Sequence, residues 1–396
     1  MSYKKVKISD IGKIVSGATP KTKDVDNYGG SIAWITPADL SGYTSKYISH
    51  GSRNITQKGY DSCSTHLMPR GTVLFSSRAP IGYVTIAENP ICTNQGFKSI
   101  VPNDDIDSEF LYYQLQYLRK KIQEKGSGTT FKEISGKVLG ETDIVVPSLE
   151  EQFRIVTRIE ELFSELDKAV GTLKTIKEQL DVYRQAVLKD AFSDFEKKDS
   201  IRNLTMVVTS GSRGWAKYYS NSGALFVRIG NLTHSGIDID FRDIQHITPP
   251  DNAEGVRTRL QPNDVLVSIT ADLGSIGFVS EKVEEAYINQ HIALVRFQNP
   301  VQGRFMAWYL RSEYGQKDLL KNKRGGGKLG LGLDDIRDTP VPIVDDITAT
   351  EIVDKVEEQL SVCDSIEKTV DTALAQADAM RQSILKQAFE GKKDVY

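Results

Sequence analysis

The chain has 396 residues, beyond the size at which one hydrophobic core usually keeps growing, so at least two cores are expected. Hydrophobic residues at 39% and charged residues at 26% exclude a disordered chain, and no apolar run approaches the roughly 18 residues of a membrane span. The net charge of −3 excludes a uniformly basic protein, yet it is unevenly spread: residues 1–150 carry +3, 151–200 −2, 201–342 +2 and 343–396 −6.

Met1 to Lys5 lead into no apolar signal core, so a cytoplasmic location is expected. Residues 1–149 read as a first globule of short β-type runs, such as Thr72–Ser76 and Tyr83–Ala87, with a helical patch at Glu109–Gln123. Residues 150–195 read as one long helix, in which Ile155, Ile159, Leu162, Leu166, Ala169, Leu173, Ile176, Leu180, Tyr183 and Val187 alternate steps of four and three. Residues 196–345 form a second globule, with strands at Val265–Ile269 and Ile292–Phe297 and a helix at Gly303–Lys321. Residues 346–396 form a second long helix and a C-terminal tail.

This order is a repeat. The segment Arg184 to Phe192 (RQAVLKDAF) returns as Arg381 to Phe389 (RQSILKQAF) at an offset of 197 residues, and Ile81-Gly82 and Asn94-Gln95 return 195 residues later as Ile276-Gly277 and Asn289-Gln290. Carried over by 197, the seam of the second helix reads Ile352, Val356, Gln359, Cys363, Ile366, Val370, Ala373, Ala377, Met380 and Ile384. The expected architecture is α+β: two similar mixed α/β domains, each followed by a long helix, with the helices pairing as an antiparallel coiled-coil spacer. An oligomerisation coiled coil between chains is the alternative; two copies in one chain favour pairing within it.

No catalytic arrangement emerges. The five histidines lack metal-ligand spacing, and Gly325-Gly326-Gly327-Lys328-Leu329 lacks the glycine spacing and hydroxyl of a phosphate loop. Pro249-Pro250-Asp251 lacks the aromatic residue that would stack on a flipped base. Cys63, Cys92 and Cys363 are too scattered for a disulfide framework or a zinc site. The chain is therefore expected to be no enzyme and to bind no metal or cofactor.

Several separated motifs agree in order with a known family. Gly17-Ala18-Thr19-Pro20 with Gly29 to Leu40, Ser77 to Gly82, Asn94 to Phe97, Val145 to Val156 and the paired Arg-Gln helix endings resemble Type I restriction-modification specificity subunits. The second copy departs from the pattern, with Thr348 to Glu351 in place of Glu151 to Arg154. The resemblance implies two target recognition domains that each read half of a bipartite site in double-stranded DNA. It also implies two methylating subunits on the spacer, nuclease-translocase subunits for restriction, and S-adenosylmethionine, ATP and magnesium used by those partners. A coiled-coil scaffold displaying two ligand-binding domains, with no DNA involved, is the rival reading.

Loops that combine cations, glycine and small hydroxyls let backbone and side chains approach phosphates and base edges. Candidate DNA contacts are Lys125, Thr129 and Lys132 in one loop, and Lys323, Arg324 and Lys328 in its counterpart. Lys21 and Lys23, Arg213 and Lys217 lie near the start of each globule, and Arg78 lies in a family-like turn. Asn94-Gln95 and Asn289-Gln290 are read as polar groups satisfying buried backbone. Partner contacts are expected at Glu151, Gln152, Arg154, Arg184 and Arg381.

Overall fold

The structure is a computed structural model that describes residues 4–78, 80–128, 132–193, 195–211, 213–249, 253–325 and 329–390. They divide into one unit of Met1–Leu173 with Thr372–Tyr396 and another of Lys174–Asp371.

The first unit is built on a five-stranded sheet ordered Gly12–Ser16, Lys98–Pro102, Val73–Phe75, Val84–Ala87 and Tyr47–Ile48. Its central strand is apolar on both faces, with Val73, Leu74 and Phe75 all buried, because the helix Ser108–Glu124 covers one face and a second small core the other. Asp107 caps that helix by accepting from the Phe110 N–H at 2.8 Å. Lys4–Lys7 pairs antiparallel with Asp143–Val146, and Trp34–Ile35 pairs parallel with Cys92–Thr93.

The second unit repeats these parts. Thr205–Ser210, Ile292–Phe297, Val265–Ser268 and Ile276–Phe278 form the corresponding sheet in the same order and pairing sense. Ala224–Val227 pairs parallel with Ala286–Ile288, and Lys198–Ser200 pairs antiparallel with Pro340–Pro342. The helix expected over Gly303–Lys321 is instead two, Gln302–Arg311 and Glu313–Leu319. The break lies at Ser312, whose backbone is extended and whose Oγ caps the second piece by accepting from Gly315 N–H at 3.2 Å.

The long helices span Leu149–Ala191 and Asp346–Glu390. They run antiparallel within each unit: in the second, Lys177 pairs with Asp371 at 2.8 Å, Arg184 with Asp364 at 2.7 Å and Lys355 with Asp190 at 3.4 Å. In the first, Arg381 pairs with Asp167 and its guanidinium lies 5.0 Å from the Phe163 ring centre. Most of the expected seam is buried or half-buried. Ile155, Ile159, Leu180 and Val187 are buried on the first helix and Val356, Cys363, Val370 and Ala377 on the second, while Ala169, Tyr183, Ile366 and Met380 are exposed and the neighbouring Arg184 and Arg381 make ion pairs between the helices.

The repeated helix endings are buried in domain cores. Phe192 packs against Phe305 and Tyr309 in the second unit, at ring separations of 5.6 and 5.7 Å. Phe389, 197 residues later, packs against Phe110 and Tyr117 in the first at 5.6 and 5.7 Å. Glu160 accepts from Tyr113 and pairs with Lys46, and its counterpart Glu357 accepts from Trp308 and pairs with Arg304. The same carboxylate thus ties each domain helix to a long helix.

Candidate nucleic-acid interface

Each unit presents a hairpin at the same place. Ser127 and Glu133 exchange backbone hydrogen bonds of 3.1 and 2.9 Å, and Arg324 and Gly330 exchange bonds of 3.0 and 2.8 Å. Next to each pairing stands a glycine at positive φ, Gly128 at 127° and Gly325 at 129°, a conformation that residues with a Cβ rarely adopt. The far strand of each hairpin is stitched to the turn after a central sheet strand: Ile134 N–H donates to Ser77 O and Leu331 N–H to Ile269 O, both at 2.9 Å. The base of each hairpin is thereby tied to the sheet.

A second turn joins this platform. Asn94 Oδ1 accepts from Gly96 N–H at 2.8 Å, and Asn289 Oδ1 accepts from His291 N–H at 3.1 Å. The two asparagines do satisfy backbone, as the sequence suggests. The adjacent Gln95 and Gln290 do not: Gln95 accepts from the Thr19 hydroxyl, and the Gln290 amide lies 2.9 Å from His291 Nε2. His291 Nδ1 in turn meets the Thr270 hydroxyl, so the turn and the hairpin platform are linked by side chains.

In the second unit these elements surround a cleft of about 680 Å³ whose lining includes Arg213, Thr270, His291, Arg324 and Asp335. Arg324 donates to Asp335 at 2.6 Å. The Gly332 N–H, against burial, and then the Arg324 guanidinium hold the Asp335 carboxyl below the usual carboxylate range. Arg324 is thus a hairpin anchor as well as a candidate DNA contact. Arg213 is exposed and has no acceptor among the described residues.

The remaining candidates are distributed as follows. Arg78 faces Glu133 across the hairpin base at 3.9 Å, and Lys132 is exposed beside it. Lys125 donates to Thr142 Oγ1 at 3.1 Å, and Lys323 is exposed. Lys21 and Lys23 are exposed ahead of the short turn Val25–Asn27, and Lys217 lies over the Tyr218 ring at 4.9 Å. Thr129 and Lys328 lie outside the described residues. Thr19, Gln95 and Gln290 carry a sequence signal, in the family-like opening and the Asn-Gln repeat, but not as surface residues, while Thr270 and His291 carry none because uncharged side chains leave no charge pattern and a lone histidine no spacing pattern.

Among the expected partner contacts, the half-buried Glu151 pairs with the exposed Arg154 at 2.9 Å on the first turns of the long helix. Gln152 is corrected to a structural role. It is fully buried, donates to Asp105 O and Pro147 O at 3.0 and 3.1 Å, and accepts from Asp107 N–H at 2.8 Å. An amide whose hydrogen bonds are all made inside the domain has nothing to offer a partner. Arg184, with 11% of its side chain exposed, and Arg381 are both engaged in ion pairs between the long helices.

Residues 2–180 match the family model described as the Type I restriction modification DNA specificity domain. The MjaIX specificity subunit of Methanocaldococcus jannaschii is 38% identical over 261 residues, which cover 60% of this chain and 59% of that protein. The EcoBI specificity subunit of Escherichia coli is 24% identical over 99% of this chain and 86% of its own length. The chain is similar to Type I restriction-modification specificity subunits, and the family model matches somewhat under half of its length. The chain spans less than two thirds of the MjaIX protein and most of the EcoBI protein. Two solved structures share the fold over 98% of this chain: one from a study of Type I system assembly, with a TM-score of 0.77 at 16% identity, and the HsdS subunit of Thermoanaerobacter tengcongensis, with 0.58 at 17%. No described helix is long and apolar enough to cross a membrane, and no described cluster of His, Cys, Asp or Glu could hold a metal.

Proposed function

We propose that this chain is the DNA-reading subunit of a Type I restriction-modification complex and recognises a bipartite site in double-stranded DNA. Each recognition domain, 1–149 or 196–345, reads one half, and the helical segments 150–195 and 346–396 serve as spacer. The observation that carries this reading is the duplicated platform, in which the same hairpin base and the same Asn-Gln turn sit at the corresponding end of the sheet in both units. A protein that reads two half-sites needs two such surfaces, rigid in backbone and different in side chain.

Lys21, Lys23, Lys125, Lys132, Lys217 and Lys323 supply phosphate contacts around the platforms, which position the protein without specifying sequence. Glu151 and Arg154 belong to the surface that receives a methylating subunit. Two such subunits and the nuclease-translocase subunits supply methylation and cleavage, with S-adenosylmethionine, ATP and magnesium bound by those partners. The chain itself performs no catalysis.

The test is DNA binding by the full chain with its methylating partner across a salt series. Lys323→Ala and Lys21→Ala should each weaken binding on every sequence and lower the salt slope by about one, as one counterion fewer is released. Binding that shows no preference for any sequence over random DNA would remove the reading in favour of a scaffold.

A further inference from the structure

We infer that Arg213 reads a guanine in the half-site taken by the second unit, an assignment that rests on the DNA-reading function proposed above. The position is defined by the repeat. Gly17 and Gly211 both press against the end of a parallel strand, where an added Cβ would stand 2.1 Å from Thr93 O and 2.3 Å from Ile288 O. Both sites therefore leave no room for a side chain and hold the backbone close against the strand that leads into the Asn-Gln turn. Two residues further on, the first unit has Thr19 and the second has Arg213.

The chemistry at this shared position differs between the units. Thr19 is neutral and is held by Gln95. In the second unit Gln290 turns instead to His291, which is itself held by Thr270, so neither engages Arg213. The other cation of the cleft, Arg324, is committed to Asp335 at 2.6 Å. Arg213 is thus left with its guanidinium unspent among the described residues, exposed at a cleft of about 680 Å³ walled by the hairpin and the turn. A planar fork of donors fits the two acceptors, O6 and N7, that guanine alone presents side by side in the major groove. A phosphate would also accept from it, and the two outcomes separate cleanly.

The experiment is selection of DNA from a pool with both half-sites randomised, using the full chain with its methylating partner, followed by binding measurements over a salt series. The wild type should recover a split motif. Arg213→Ala should lower the preference for guanine at one position of one half-site by about tenfold or more while leaving the other half-site intact. Arg213→Lys, which keeps the charge and loses the fork, should lose the same preference. Uniform weakening with an unchanged motif and a salt slope lower by about one would make Arg213 a phosphate contact and overturn the inference, as would an unaltered motif and affinity. A wild type that recovers no motif would overturn the DNA-reading function itself.

Discussion

Replacing Phe389 with Ala isolates the contribution of the chain's last helical turns to the first unit. Phe389 is 8% exposed, edge-on to Phe110 at 5.6 Å and stacked with Tyr117 at 5.7 Å. Truncating a buried phenylalanine costs about 3–5 kcal/mol through lost transfer energy and the cavity left behind. Loss of two aromatic contacts, each about 0.5–1.5 kcal/mol, places this site toward the upper end of that range. Amide hydrogen exchange of the full chain provides the assay. The helix Ser108–Glu124 should open about a thousandfold more often in Phe389→Ala, while Gln302–Arg311 is unchanged. Phe192→Ala should give the mirror result, because its ring lies 5.6 Å from Phe305 and 5.7 Å from Tyr309. Equal loss of protection in both helices for either variant, or none in either, would refute the assignment of each helix ending to its own core.

The seam of the long helices predicts that Leu180→Ala, a buried site, costs about 2–5 kcal/mol, while Tyr183→Ala, 49% exposed, stays within about 0.5 kcal/mol; urea midpoints of the full chain compare them, and equal costs would place Tyr183 in the contact. Asp264, fully buried, accepts from Arg296 through both oxygens at 2.7 Å, so Asp264→Asn should destabilise the second unit by about 3–5 kcal/mol, measured by thermal unfolding. The Asp335 carboxyl has a folded pKa below its unfolded value, so its support of the hairpin is complete above the ordinary carboxylate range, about pH 4, and is lost as pH falls through the lower folded value. Exchange of the Arg324 and Gly330 amides should accordingly gain an acid-induced opening that Asp335→Asn already shows at neutral pH.

Much of this architecture is local enough to be written in the sequence. The alternation of fours and threes, the recurrence of Arg184 to Phe192 as Arg381 to Phe389, and the short β-branched runs each depend on neighbours within a few residues, so two α/β domains and two long helices follow from them. Tertiary structure decided what depends on distant partners. The heptad pattern located most of the seam, including Leu180, Val187, Val356 and Val370, but it also included Tyr183, Ile366 and Met380, which are exposed beside the ion pairs that Arg184 makes with Asp364 and Glu367 and that Arg381 makes with Asp167. Gln152 read as a surface residue in a charged turn, and only the return of the chain at Asp105 and Asp107 buried it. The proposed binding surface shows the same division: its cations were visible as charge, while Thr19 is brought to Gln95, 76 residues away in sequence, by a side-chain contact that no local pattern encodes.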